Sequence, residues 1–285
     1  MSILKVAVQK SGRLSEDTLK LFKECGIKFN NGVKKLKASS TNFPVEFLFL
    51  RDDDIPGYVE DGIADLGVVG QNVHVEADRS IDEIKPLGFS RCRMSLAVPR
   101  EEKYENVKYF EGKSVATSYP RILQNFLRKH MVSAEIHEIS GSVEIAPGIG
   151  LANGIMDIVS SGSTLLSNGL KEVEVIMHSE ATLVSSRELT QEKKSLLENL
   201  IFRIDAVLEG RNNKYVLLNA PNNKVDVILR LIPGMRSPTV MPLASEGWSS
   251  IHSVINEDEF WEKIEALRGA GAEGILVVPI EKMVK

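Results

Sequence analysis

The stretch Asp157-Ile-Val-Ser-Ser-Gly-Ser-Thr-Leu165 collects residue types suited to gripping a phosphorylated sugar. An apolar run predicts a strand, which passes into small hydroxyl residues and a glycine and then into a helical start at Thr164-Leu-Leu. Such a turn presents backbone N–H groups at a helix N-terminus, where the dipole favours an anion. Ser160, Ser161, Ser163 and Thr164 add hydroxyl donors, and Gly162 lets the backbone come close to a ligand. Asp157 cannot bind phosphate, but its carboxylate can accept hydrogen bonds from sugar hydroxyls. The same composition also serves an ordinary strand-to-helix turn.

Two further clusters follow strand ends. Gln9-Lys10-Ser11-Gly12-Arg13-Leu14 sets two cations, Lys10 and Arg13, around a glycine turn after an apolar strand. In open α/β sheets ligands gather along that carboxyl edge; solvated surface cations are the other reading. Arg51-Asp-Asp-Asp-Ile-Pro56 places three carboxylates beside a guanidinium. Asp52, Asp53 and Asp54 repel one another unless paired or near a cation. They can receive Mg²⁺, and at least one of them is expected to cap the next helix. The histidines at 74, 130, 137, 178 and 252 are scattered and read as surface or packing residues. Trp248 and Trp261 are expected to pack in or near a C-terminal core.

These groups need a scaffold. The 285 residues allow two or three domains of ordinary size. Short strands alternate with helical patterns: strands at 4–9, 45–50, 65–69, 93–98, 114–118, 134–139, 157–160 and 182–185, and helices near 15–26, 55–61, 121–130, 143–154 and 191–210. That alternation predicts mainly parallel α/β sheets, with Ser15 as the N-cap of the first helix. From residue 215 the order becomes strand, helix, strand, strand, helix, strand, the ferredoxin-like pattern. The expected division is a first lobe at 1–90, completed by about 180–210, a second lobe at 91–179 carrying the hydroxyl-rich loop, and a C-terminal domain at 211–285.

Composition narrows the function classes. A net charge of −4 offers no bulk attraction to nucleic acid or an anionic membrane. No apolar run approaches the roughly 20 residues of a membrane span, and the N-terminal residues show no secretory pattern. Cys25 and Cys92 lie far apart in no metal-ligand spacing, which fits a reducing cytoplasm.

The segments VQKSGRLS, RDDDIPGYVEDGIADLGVVGQNV, RCRMSLAVP, KSVATSYP, GSVEIAP, DIVSSGSTLLSNGLKEVEVI, SPTVMPLA and ILVVPIEKM together resemble the long form of the ATP phosphoribosyltransferase family. The resemblance runs through essentially the whole chain. It implies a two-lobed catalytic unit of the periplasmic-binding-protein type and a ferredoxin-like domain that binds histidine as feedback inhibitor. It implies the joining of ATP to phosphoribosyl pyrophosphate with Mg²⁺, and a homo-oligomer that interconverts between dimer and hexamer. By the same resemblance, Asp157 would hold ribose hydroxyls and Ser160 to Thr164 the 5′-phosphate. Lys10 and Arg13 would face pyrophosphate or nucleotide, with Gly12, Arg51 and Asp52 also on the nucleotide. Glu144 is expected to contact the adenine or take its exocyclic proton; a first-turn helix carboxylate is the other reading. Ser237, Pro238, Thr239 and Ala272 match where the family seats histidine. A phosphoribosyltransferase using another base, or a non-catalytic two-lobed binding protein, are the alternatives.

Overall fold

The computed structural model describes residues 2–30 and 36–285. Leu4–Gln9 forms β1, with Leu4, Val6, Ala7 and Val8 all buried. A strand covered on both faces is what a sheet sandwiched between helices requires. After it come α1 (Arg13–Glu24), β2 (Lys37–Ser39), β3 (Val45–Leu50), α2 (Ile55–Glu60), β4 (Leu66–Gly70), α3 (Gln71–Ala77) and β5 (Ile81–Pro86). The chain then enters a second sheet with β6 (Cys92–Pro99), β7 (Ser114–Thr117), α4 (Pro120–Lys129), β8 (Glu135–Glu138), β9 (Gly154–Val159), α5 (Ser163–Ser167) and β10 (Leu170–Ser179). It returns to the first sheet as β11 (Ala181–Ser186) and continues into α6 (Gln191–Asn212).

The first sheet runs β2-β3-β1-β4-β11-β5 and the second β10-β6-β9-β7-β8. The two share one plan. In each, three parallel strands (β3, β1, β4 and β8, β7, β9) are followed by one antiparallel strand (β11 or β6) and then an edge strand (β5 or β10). The chain crosses between the lobes twice, from β5 to β6 and from β10 to β11. This is the two-lobed arrangement of periplasmic binding proteins. The sheets are mixed rather than mainly parallel, because each crossing delivers a strand that runs against its neighbours.

Several elements depart from the sequence expectation. α1 begins at Arg13, after Gly12 at φ +95°, so Ser15 is buried inside the first turn instead of capping it. The helix expected over 143–154 is only a 3₁₀ turn at Val143–Ile145. Pro147 and the glycines at 148 and 150 stop its growth.

The C-terminal segment is built from β12 (Asn213–Pro221), α7 (Val225–Leu231), β13 (Thr239–Pro242), β14 (Trp248–Asn256), α8 (Glu257–Gly269) and β15 (Glu273–Pro279). Its sheet runs β13-β14-β12-β15 with antiparallel neighbours throughout, the ferredoxin-like order. Alternate residues Val216, Leu218, Ile251 and Ile255 face Ile228, Phe260 and Leu267 of the helices. Phe260 takes the core position on α8, so its neighbour Trp261 is 68% exposed and does not pack in that core. Trp248 belongs to the half-exposed set along β14.

By internal contacts the chain divides into two compact units, residues 1–20 with 27–196 and residues 21–26 with 197–285. No helix among the described residues is long and apolar enough to cross a membrane.

Candidate active site

The hydroxyl-rich loop joins β9 to α5. Gly162 caps the helix at φ +80°, ψ 0°, a left-handed conformation that side-chain-bearing residues adopt only with strain. Its carbonyl accepts from Leu166 N at 3.1 Å, which starts the helix. The preceding N–H groups of the first turn have no intrahelical partner. Ser161 Oγ and Ser163 Oγ share a hydrogen bond of 3.0 Å. At the far end, Ser167 Oγ and Asn168 Nδ2 donate to Thr164 O at 3.0 and 2.9 Å. α5 has five residues, so its dipole is small. An anion here would be held by N–H and hydroxyl donors more than by the helix as a whole.

Asp157 sits on β9 three residues before Ser160, and its Oδ1 accepts from Ile158 N at 2.7 Å. Burial pushes its carboxyl above the usual range; that hydrogen bond lowers it and the charge of Glu144 raises it further. Glu144, in the 3₁₀ turn after β8, is therefore Asp157's neighbour. Tyr119, at the end of β7, is also near. Its phenol is pushed far up, first by burial and then by Asp157, Asp53, Asp52 and Cys92.

The other lobe contributes the ends of β1 and β3. Lys10 N donates to Leu50 O at 2.8 Å, which sets the Lys10 turn beside Arg51. Arg13 opens α1 with its side chain 79% exposed and only a 3.8 Å approach to Asp17. Asp52–Asp54 form a 3₁₀ turn that runs straight into α2. None of the three caps that helix by its side chain, contrary to expectation. Arg51 occupies the extended position before the turn, where a cap would have to stand. Burial and then the charge of Asp52 raise the Asp53 carboxyl.

A cavity of about 530 Å³ separates the lobes, with Arg51, Asp52, Asp53 and Glu76 on one side and Ser118, Tyr119, Glu138 and Ser140 on the other. Glu76 of α3 also ties the lobes together. Its two carboxylate oxygens accept from Arg121 N and Ile122 N of α4 at 2.8 and 2.9 Å, while Asp78 pairs with Arg121. A carboxylate from one lobe thus caps a helix of the other, which has no side-chain cap of its own.

A profile described as ATP phosphoribosyltransferase matches residues 51–206, and one described as HisG, C-terminal domain matches 210–282. A relative from Cytophaga hutchinsonii named ATP phosphoribosyltransferase is 56% identical over 284 residues, covering 100% of this chain and 99% of its own. This chain belongs to the ATP phosphoribosyltransferase family. Another member, from Bacteroides thetaiotaomicron, is 56% identical over 282 residues, covering 99% of this chain and all of its own. Among solved structures, the ATP phosphoribosyl transferase (HisG:HisZ) complex from Thermotoga maritima shares the fold at a TM-score of 0.60 and 28% identity. That match covers 71% of this chain and 98% of the other.

Of the residues singled out from sequence in this family member, the structure gathers Arg51, Asp52 and Asp53 at the cavity and sets Asp157 beside Glu144. Lys10 lies next to Arg51 along the same sheet edge. Ser160 to Thr164 lie on the loop beyond β9 and do not line that cavity. Tyr119, Glu138 and Glu76 carry no comparable signal in the sequence: SYP and EIHE look like ordinary turn and edge, and Glu76 falls in the short helix QNVHVEA. Among the described residues no three His, Cys, Asp or Glu side chains converge to hold a metal ion. Asp52 and Asp53 suit contacts to a hydrated ion carried by a ligand, not a cage.

The C-terminal residues lie elsewhere. Ser237, just before edge strand β13, and Thr239, its first residue, are exposed, whereas Ala272 is 7% exposed just before β15, the opposite edge. Three strand spacings separate those edges, about 14 Å.

Proposed function

We propose that this protein joins ATP to phosphoribosyl pyrophosphate, giving phosphoribosyl-ATP and pyrophosphate, as the first step of histidine biosynthesis. The supporting observation is family membership along the full length of the chain, with a hydroxyl- and N–H-rich loop following Asp157 on β9. The bond from adenine N1 to the anomeric carbon forms as the bond from that carbon to the pyrophosphate oxygen breaks. A ring nitrogen lone pair needs no strong base, so the rate comes from aligning two substrates and stabilising the leaving group.

In this reading Asp157 accepts from the ribose hydroxyls, and Ser160 to Thr164 hold the 5′-phosphate. Lys10, Gly12 and Arg13 face the pyrophosphate or the nucleotide, with Arg51 and Asp52 beside them. Glu144, whose charge acts on Asp157, contacts the adenine or takes its exocyclic proton. Asp52 and Asp53 would be the protein contacts of a Mg²⁺ ion carried by the pyrophosphate, and the ion would supply neutralisation of the leaving group's charge. The site works in the cytoplasm. The C-terminal unit binds histidine through Ser237, Pro238, Thr239 and Ala272. Since one chain sets these at opposite sheet edges, a pocket using both draws them from two copies, in keeping with a dimer that also forms hexamers.

Incubation with ATP, phosphoribosyl pyrophosphate and Mg²⁺ tests the catalytic reading. A change in adenine-ring absorbance that needs all three supports it. No change with ATP but turnover with another base would replace it with a different phosphoribosyltransferase.

A further inference from the structure

Arg93 takes no part in the scheme above, yet each of its three guanidinium nitrogens makes a hydrogen bond. Its Nε and Nη2 reach the two carboxylate oxygens of Glu172 at 2.5 and 2.6 Å, and its Nη1 donates to the backbone carbonyl of Ser160 at 3.2 Å. Ser95 Oγ donates to the same carboxylate at 2.7 Å. Arg93 lies on β6 opposite Val159 of β9, and Ser95 lies opposite Asp157. Glu172 projects from β10 on the other side of β6. The bracket therefore spans three adjacent strands and ends on the first residue of the loop. Glu172 is held below the ordinary carboxylate range, chiefly by its hydrogen bond to Arg93.

The chemistry of a peptide unit gives this contact a consequence. In a trans peptide the C=O and the following N–H point in opposite directions. Fastening the Ser160 carbonyl toward Arg93 turns the Ser161 N–H away from it. A fork held at both carboxylate oxygens fixes the guanidinium plane as well as its position, which a lysine ammonium cannot do. The charge of Arg93 is matched by Glu172, so its effect on the loop is orientation and not attraction of an anion.

We propose that Arg93 is a positioning residue for the phosphoribosyl loop, fixing the Ser160–Ser161 peptide so that the Ser161 N–H faces the 5′-phosphate. The inference rests on the loop reading given under the proposed function. The test uses the full-length enzyme with Arg93→Gln, Arg93→Lys, Glu172→Gln and Gly162→Ala. Each is assayed for KM toward both substrates, for binding of ribose 5-phosphate by calorimetry, and for melting temperature.

The expected result is a rise of about tenfold in KM for phosphoribosyl pyrophosphate in Arg93→Gln, equivalent to roughly 1.4 kcal/mol. Ribose 5-phosphate binding weakens in parallel, and KM for ATP stays put. Arg93→Lys recovers little of the loss, and Glu172→Gln, which keeps Arg93 but loosens its anchor, gives a smaller effect of the same kind. If Gly162→Ala raises this KM while folded Arg93→Gln and Glu172→Gln leave it unchanged, the Arg93 role is wrong and the loop reading stands. If Gly162→Ala is also without effect, the loop reading falls and takes this inference with it. Equal rises in both KM values, with a lowered melting temperature, reduce Arg93 to a structural tie and overturn the proposal.

Discussion

At the scale of single residues, Gly162 and Asp157 make separable demands. A Cβ at Gly162 would make only an ordinary van der Waals contact, with Val159 Cγ1 at 3.9 Å, so its φ of +80° is what excludes other residues. Gly162→Val should therefore distort the cradle while leaving the protein folded, and lower kcat/KM at least about tenfold, or roughly 1.4 kcal/mol. Normal kinetics in that variant would remove the loop from the mechanism. Asp157→Asn should lose activity to a similar degree, because the amide is a weaker acceptor for ribose hydroxyls. Its stability should move the other way. Burial raises the Asp157 carboxyl above its usual value, so ionising it costs folded-state stability once the pH exceeds that ordinary range. The asparagine variant should melt higher than the parent at pH 7, and the gap should close as the pH falls below the carboxylate range. A lower melting temperature at pH 7 would mean the carboxylate stabilises the fold. The loop was legible in the sequence because glycine and small hydroxyl residues mark a tight turn wherever they fall. Tyr119 was not, since its place near Asp157, Asp53 and Asp52 depends on strands that meet only in the folded sheet.

Elements show the same division between local and non-local information. Strands such as β1 and β4, with mostly apolar residues, could be read directly, as could the C-terminal order of strands and helices. β5 and β10 escaped because charged residues interrupt them, IDEIKP and LKEVEVIMHS, and both are edge strands whose polar side chains meet water. α3 was missed as well, yet it carries the contact that joins the lobes. Glu76 supplies both acceptors for the first turn of α4, a service that N-cap side chains normally perform from within their own helix. Glu76→Ala should lower stability by about 1 kcal/mol, as loss of a cap does, read as a shift in the urea midpoint. Because Glu76 also lines the cavity, KM for both substrates should change in the same variant. Glu76→Gln, which keeps one acceptor oxygen, should fall between the two. If Glu76→Ala unfolds at the parent's urea concentration and binds both substrates normally, the contact neither caps the helix nor shapes the cavity.

For the whole molecule the open question is what the C-terminal unit adds, since the two lobes already hold every residue assigned to the chemistry. Histidine can inhibit from that unit only by binding one global state better than another. Association of copies is the simplest such pair of states, and it is also what would bring the β13 and β15 edges together, which a single chain keeps about 14 Å apart. Truncation is a poor probe of this. Removing residues from Arg211 onward deletes the Arg211 bond to Glu24 at 2.6 Å and the Met283 N bond to Ala206 O at 2.8 Å, so folding would suffer along with regulation. Enlarging Ala272 is little better, because it lies in the C-terminal core. Exposed Thr239 is the cleaner position. Thr239→Ala should keep the uninhibited rate and need several-fold more histidine for half inhibition. In the parent enzyme, histidine should shift sedimentation toward the larger oligomer. Phosphoribosyl pyrophosphate should raise the histidine needed for that shift, because linkage between two ligands is reciprocal. Full activity of the intact enzyme in millimolar histidine would end the regulatory proposal. A normal response in Thr239→Ala would move the histidine site elsewhere in the C-terminal unit, and inhibition without any change in sedimentation would place the two states within a fixed assembly.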